Sequence, residues 1–356
     1  MRPVRVEVQP YAMRFVHPFE TAAGILTGRH GLTIRVTDAS GCVGYGEASP
    51  LPGFSDESFV WGACEFEGID AMPWPVAFAE LSSLESISAA CSALVKSPSS
   101  RHGLELALCD LLAQERGVPL AKLFNPDASL EGETARVARR AEDALAAVRD
   151  GVRTIKLKVG VGALADDLAR VAEVRSAVGS VPTIRLDANG AWATDDAIAN
   201  LERLSAFDIE CIEQPVSASN LEGLARVRRT SKIRVAADEA VRSAADLRAV
   251  VDREAADIVV LKPMLCGGPI AAWGMARSAA AAGLSVIVTS SLDGAIGRLG
   301  AMHIAAAIPE ADKLSAGVDT GRWLAGDLFN STAIEHGRFK LESVPGLGLS
   351  LMEASQ

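Results

Sequence analysis

Ionisable side chains recur at the ends of short apolar runs: Lys156 with Lys158, then Asp187, Glu213, Asp238 and Lys262. Counted from Lys158, the intervals are 29, 26, 25 and 24 residues. That is about one strand, one helix and two short loops, the unit of a (β/α) barrel. Strand candidates are Ala135–Arg139, Thr154–Val159, Thr183–Asp187, Ile209–Glu213, Ile233–Asp238, Asp257–Leu261 and Leu284–Thr289. Ala-rich helical segments such as Ala165–Val178, Asp195–Leu204 and Ala244–Val251 separate them. Alternating β and α units with short loops imply a parallel sheet, and this many favour closure. In a closed barrel the C-terminal ends of the strands share one rim, where chemistry occurs.

The period of two along a strand fixes which side chains face inward. In Thr154–Val159, Ile155, Leu157 and Val159 point one way and Lys156 and Lys158 the other. Barrel strands pack their outer face on helices, so the apolar set faces out and both lysines face in. By the same parity Arg185 and Asp187 face in, Cys211 accompanies Glu213, and Val260 accompanies Lys262.

The rest of the chain reads differently. Val4–Gln9, Gly31–Thr37 and the turn at Gly41–Gly46 predict a small antiparallel sheet, followed by a helix over Arg101–Glu115. Gly24–Gly31, with Thr27 and Arg29, reads as a loop and candidate lid, and Leu51–Ser55 as a second loop beside it. The expected organisation is a capping region over residues 1–127, a barrel over 128–325, and a segment over 326–356 that packs back on the N-terminal sheet. A chain of 356 residues with 49% apolar content can bury a large core. Its net charge of −10 argues against nucleic acid or an anionic membrane as partner. No apolar run is long enough to span a bilayer, and Met1–Pro10 carries charges where a signal peptide needs an apolar stretch. The six scattered cysteines predict reduced thiols and a cytoplasmic setting. The five histidines form no zinc-binding pattern. Oligomeric state is not written in the sequence.

Three carboxylates from successive strands would be neighbours on the rim. Held together they repel unless a cation is present, and an all-oxygen set suits Mg²⁺. Three strands separate Lys262 from Lys156 and Lys158, so it would face a substrate from the opposite side. Such an array fits a small carboxylate substrate: the cation polarises the carboxylate while a lysine removes the proton α to it. Ser290, Ser291 and Asp293 follow the last strand, where hydroxyls and backbone N–H groups would either hold an anion or cap the next helix.

These residues resemble the enolase superfamily in its muconate-lactonising subgroup. The resemblance rests on Lys156-Leu-Lys158, Asp187-Ala-Asn189, Glu213-Gln-Pro215, Asp238-Glu239 and Lys262-Pro263, and it covers nearly the whole chain. It implies an N-terminal α+β capping domain on a modified (β/α)7β TIM-type barrel. It further implies Mg²⁺, with Mn²⁺ as a substitute ion, on Asp187, Glu213 and Asp238, and acid/base lysines at 158 and 262. Four further stretches resemble the o-succinylbenzoate synthase family: Gly44–Glu47 with Pro50–Ser55, Arg185–Asn189, Ser290–Gly294 with Ile296-Gly297, and Gly317–Gly321. They imply dehydration of a cyclohexadiene carboxylate, with Lys156 and Arg185 supporting base and substrate, Asn189 and Asp293 beside it, Glu239 behind the metal ligands, and Ser290 and Ser291 near the substrate carboxylates. Leu265-Cys-Gly-Gly268 also resembles N-succinylamino acid racemases and dipeptide epimerases, the alternative. Asp319-Thr320-Gly321 lacks the paired Asp-x-Asp of the dipeptide epimerases, and Asp293 stands where many relatives carry Glu.

Overall fold

The computed structural model describes all residues except 22–23, 56, 68, 70–73, 75–79, 328, 331–333 and 352–356. The chain opens with three antiparallel strands, β1 (Pro3–Thr21), β2 (Gly24–Asp38) and β3 (Val43–Ala48). Helices α1 (Phe59–Phe66), α2 (Leu84–Leu94), α3 (Pro98–Glu115) and α4 (Leu120–Phe124) follow. Helix α3 is buried over most of its length and packs on β3 and β2. Gly44 and Gly46 allow that approach, because a Cβ on either would lie 2.1 or 1.8 Å from an α3 carbonyl oxygen.

Gly24–Gly31 is not a loop: it forms the first half of β2, paired with β1 from Thr21↔Gly24 to Tyr11↔Gly31. Its glycines serve close packing. A Cβ on Gly28 would sit 2.3 Å from the Met13 carbonyl oxygen, and one on Gly31 would strike the Tyr11 ring. The hairpin is anchored by Arg29, 1% exposed. Its guanidinium donates to the carbonyl oxygens of Ser49, Pro50 and Leu292, joining the hairpin to the segment after the last barrel strand.

After the short strand β4 (Glu131–Glu133) come the barrel units: β5 (Ala135–Ala138), α5 (Ala141–Arg149), β6 (Thr154–Lys158), α6 (Leu164–Val178), β7 (Thr183–Asp187), α7 (Thr194–Leu204), β8 (Ile209–Glu213), α8 (Leu221–Thr230), β9 (Arg234–Ala237), α9 (Ala244–Asp252), β10 (Ile258–Leu261), α10 (Pro263–Cys266), α11 (Pro269–Ala281), β11 (Ser285–Val288) and α12 (Ala295–Ala307). Strands β5 to β11 lie side by side in chain order, and every pairing among them is parallel. The segment around Ala316 closes the ring, bridging β11 through Thr289↔Gly317 and the start of β5 through Thr134↔Ala316. The fold is therefore a (β/α)7β barrel carrying an N-terminal β-rich cap.

Local sequence supports each unit. Helices α5 to α8 all begin with acidic residues and end with arginine, as the helix dipole favours. The strands sort by parity into two apolar sets. Ile155, Leu157, Ile184, Leu186, Ile212, Val235, Val259, Leu261, Val286 and Val288 belong to the large core beneath the helices. Cys211, Ala236, Ile258, Val260 and Ile287 form a separate small cluster that fills the barrel. All six cysteines are free thiols, and no helix among the described residues is long and apolar enough to cross a membrane.

The cap docks through buried carboxylates that meet backbone N–H groups. Glu105 of α3 accepts from Ile270 N at the start of α11 (2.7 Å). Asp110 accepts from Tyr45 N (2.9 Å) and from Leu347 N of the C-terminal segment (2.8 Å). That segment also bridges Pro119 through Gly346, pairs Arg338–Lys340 with β4, and sets Phe329 against Tyr45 of the cap sheet at 5.4 Å.

His303 of α12 ties three parts together. Its Nδ1 accepts from Ala121 N (3.0 Å), so the proton sits on Nε2, which donates to the Leu347 carbonyl (3.1 Å). Burial pushes the imidazole down to about 4. A group held neutral below its ordinary value of 6.5 stabilises the fold fully above pH 6.5, and that stability is lost as pH falls towards 4. We expect denaturant unfolding to show wild type losing up to roughly 3 kcal/mol more than His303→Gln between pH 7 and pH 4. Equal losses in the two proteins would show that His303 does not carry this dependence.

Candidate active site

The polar floor of the site comes from the inward positions at the C-terminal ends of β6 to β10. Register pairs Lys158 with Asp187 and Asp187 with Glu213, so one level of the barrel carries all three. Asp187, Glu213 and Asp238 are 7%, 4% and 5% exposed. Lys156 lies between two of them, with Nζ 2.8 Å from Asp187 Oδ2 and 2.7 Å from Glu213 Oε1. Lys262 pairs with Asp238. Lys158 is exposed, and its ammonium makes no ion pair among the described residues. Strands β6 and β10 stand four positions apart in a ring of eight, so Lys158 and Lys262 face each other across the mouth.

The charges do not balance: three carboxylates meet two ammonium groups, and Glu239 adds a fourth acid. Burial, together with Asp187 and Asp238, pushes the Glu213 carboxyl well above its ordinary range despite Lys156. Burial raises Asp238 too, but Lys262, Glu213 and Lys156 together outweigh it and leave that carboxyl below its usual value. Burial acts to lower Lys156 and Lys262; their carboxylate neighbours win and hold both above the ordinary lysine value. Glu239 is raised by burial and by Asp238. Its Oε1 accepts from Asn189 Nδ2 (3.0 Å), while its Oε2 is buried with no hydrogen-bond partner among the described residues. Among the described residues no group of three His, Cys, Asp or Glu side chains is arranged to grip an ion as it stands, because the lysines occupy the carboxylate oxygens. The donor set is nevertheless all oxygen, buried and over-acidic, which suits a hard dication such as Mg²⁺.

The backbone here is held in uncommon conformations. Asn189, two residues after Asp187, and Gln214, next to Glu213, have φ of 43° and 40°, a region that costs a non-glycine residue about 1 kcal/mol or more. Gln214 offsets the cost with its side chain, whose Oε1 accepts from Asp238 N (3.0 Å) and Ala240 N (3.2 Å). It thereby couples the end of β8 to the end of β9. The motif Glu213-Gln-Pro215 contained this residue, but its role needed the fold to be visible.

The other sequence candidates fall into two groups. Arg185 points below the rim, pairing with Glu210 and donating to the Ser315 carbonyl (2.7 Å). A register shift between Ile184 and Arg185 brings Glu210 within its reach. At 2% exposure it braces the barrel floor and reaches no open space. Ser290, Ser291 and Asp293 sit at the rim after β11. Ser290 Oγ bonds Thr320 Oγ1 (2.7 Å), whereas Ser291 Oγ and Asp293 Oδ1 are buried without hydrogen-bond partners among the described residues. Burial and Glu47 push the Asp293 carboxyl up to about 7, against Arg29.

Glu47 of the cap sets this segment. Its carboxylate accepts from Gly294 N (2.7 Å) and Gly297 N (2.9 Å) at the start of α12, from the Tyr11 hydroxyl (2.5 Å) and from Ser49 (3.0 Å). A Cβ on Gly294 would lie 2.9 Å from this carboxylate. Phe54, from the turn at 51–55, closes one side of a cleft whose floor carries Asp238, Glu239 and Lys262.

Comparison with known proteins agrees with this fold. The sequence profile of the family described as "Enolase C-terminal domain-like" matches residues 136–355. The chain is 28% identical to the L-Ala-D/L-Glu epimerase of Bacillus subtilis, over 98% of this chain and 97% of that one. It is 39% identical to the o-succinylbenzoate synthase of Thermobifida fusca, over 50% of this chain and 55% of the other. The dipeptide epimerase of Enterococcus faecalis V583, solved with Mg and the dipeptide L-Leu-L-Tyr, superposes with a TM-score of 0.89 at 26% identity, covering 98% of this chain and 100% of that chain. The likeness to the synthase spans half the chain, whereas the likeness to the epimerases spans nearly all of it. With seven in-order parallel strands, a cap over their C-terminal rim and a matched profile over most of its length, the chain belongs to the enolase C-terminal domain-like family.

Proposed function

We propose that this protein removes the proton α to the carboxylate of a small substrate, and that Lys158 and Lys262 carry that chemistry from opposite faces. The observation that supports this most is the placing of the two lysines on β6 and β10, with the acidic floor of β7, β8 and β9 between them. Asp187, Glu213 and Asp238 would hold Mg²⁺, or Mn²⁺ in its place. When bound, the ion supplies positive charge where the substrate carboxylate gathers electrons. Lys156 keeps Asp187 and Glu213 in register. Asn189 and Glu239 support the floor, and Ser290 and Ser291 offer hydroxyls to the substrate at the far rim.

The breadth of the epimerase likeness favours a 1,1-proton transfer. Lys158 takes the α-proton on one face, the C–H electron pair moves into the carboxylate, and the Lys262 ammonium returns a proton on the other face, inverting the centre. The substrate is then an N-acylated amino acid rather than a dipeptide with a free ammonium. Asp319, the acid of the Asp319-Thr320-Gly321 stretch, is already bonded by Arg136 Nε at 2.6 Å and lies 3.6 Å from Arg322. The same engagement, with the 39% identity over 180 residues, favours a second reading, dehydration of 2-succinyl-6-hydroxy-2,4-cyclohexadiene-1-carboxylate to 2-succinylbenzoate. There Lys158 would pass the abstracted proton to the departing hydroxyl on its own face, releasing water, while Lys262 stays an ammonium.

Polarimetry on N-succinyl amino acids and spectrophotometric aromatisation of the cyclohexadiene, each with and without Mg²⁺, separate the two. Racemisation that requires Mg²⁺ supports the first; rapid aromatisation without it moves the assignment to the second; neither would end both. Lys158→Ala should lower the operative kcat by about 10²- to 10⁴-fold, the usual weight of a general base, and near-normal turnover would remove Lys158 from that role. Asp187→Asn should raise the Mg²⁺ concentration needed for half activity by more than about tenfold, and an unchanged requirement would contradict the ligand set.

A further inference from the structure

Besides Lys158, a second cation at the mouth, Arg139, has no acidic partner among the described residues. Arg139 follows the last residue of β5, and the parallel register Ala138↔Leu157 places it beside Lys158 on the neighbouring strand, at roughly 5 Å strand spacing. Period-two alternation puts Val137 on the face that carries Lys156 and Lys158, and Arg139 lies in the bend just beyond Ala138. Val137 points inward yet is 46% exposed, so this side of the barrel is an open channel rather than packed core. Arg139 is exposed, and its side chain forms no ion pair among the described residues; its backbone N donates to Asp143 Oδ2. Nearby arginines are spent otherwise: Arg136 on Asp319 and Asp150, Arg140 on Glu142, Arg322 on Asp319.

The guanidinium is nonetheless held in place. It lies 5.4 Å over the ring of Trp323, from the turn that follows the closing strand position. Trp323 in turn meets Phe19 of the cap hairpin edge-on at 5.8 Å, and Phe19 meets Phe15 at 5.9 Å. Stacking on indole fixes the plane of an arginine while leaving its N–H edge free to donate. An exposed arginine that is pre-ordered, uncompensated and next to the reactive lysine is arranged to receive an anion.

We infer that Arg139, seated on Trp323, is the specificity-determining residue that recognises a second carboxylate on the substrate, remote from the one at which the α-proton is lost. This deepens the proposed function, since it rests on a first carboxylate lying over the acidic floor. The substrate class is a dianion with an anionic acyl arm, directed along the Val137 side of the channel.

Isothermal titration of the protein in saturating Mg²⁺ with 2-succinylbenzoate and with 2-butyrylbenzoate, in which a methyl group replaces the distal carboxylate, tests the assignment. Wild type should bind the diacid about 3- to 10-fold more tightly, the range for a partly exposed charged pair. Arg139→Met should bring that ratio close to one, Arg139→Lys should keep part of it, and Trp323→Leu should reduce it by freeing the arginine. A ratio of one in wild type, or an undiminished ratio in Arg139→Met, would overturn the inference. Because binding is read without turnover, the two claims fail separately. Discrimination without racemisation or dehydration would sink the proposed reaction alone, and turnover without discrimination would sink the Arg139 assignment alone.

Discussion

The structure depends on keeping three buried carboxylates together at the mouth of a barrel. Asp187, Glu213 and Asp238 repel one another in a setting that shields little charge. The barrel imposes their proximity: Asp187 and Glu213 are register partners on neighbouring strands, and Asp238 follows two residues after Ala236, the register partner of Glu213. Lys156 and Lys262 relieve the repulsion without cancelling it. Below this layer the interior turns apolar, with Cys211, Ala236, Ile258, Val260 and Ile287 in contact. The repulsion is therefore carried by a packed plug and by strained turns at Asn189 and Gln214, and the polar layer faces only towards the cap.

That arrangement explains why cap and barrel meet through carboxylates and backbone rather than through greasy surface alone. Glu47 closes the start of α12 and Glu105 the start of α11, the two helices that follow the Ser290–Asp293 and Lys262 segments. An anion at a helix N-terminus is favoured by the dipole and satisfies otherwise unpaired N–H groups. Arg29 adds the reverse contact, one cation on three carbonyl oxygens. Cap position and rim geometry are tied together through these few bonds. The Tyr11, Met13, Phe15 and Leu51 cluster with Leu292 and Leu324 supplies the apolar seal around them.

Much of this was legible in the sequence, for a definite reason. A strand writes its two faces into every second residue, so the inward set from Lys156 to Lys262 could be read strand by strand, and β7 and β8 lie within the expected bounds. The rim constellation follows from that alternation and the repeat. What could not be read are contacts whose partner is a distant backbone. Glu47 bonds amides 247 and 250 residues away, and no pattern near Glu47 announces them. Gly24–Gly31 was misleading because glycine there admits a neighbouring chain instead of loosening a turn. Arg185 shares the parity of Asp187, yet two residues of depth separate a rim position from a buried brace.

The account stands on two lysines acting from opposite faces of one α-carbon, and ¹H NMR in D₂O reads this directly. The α-proton of each enantiomer of an N-succinyl amino acid would be followed with wild type, Lys158→Ala and Lys262→Ala. Wild type should exchange both enantiomers, and each variant should lose exchange of a different one while its partner lysine still serves the other face. Variants that exchange both enantiomers at the wild-type rate, or a wild type that exchanges neither, would contradict it.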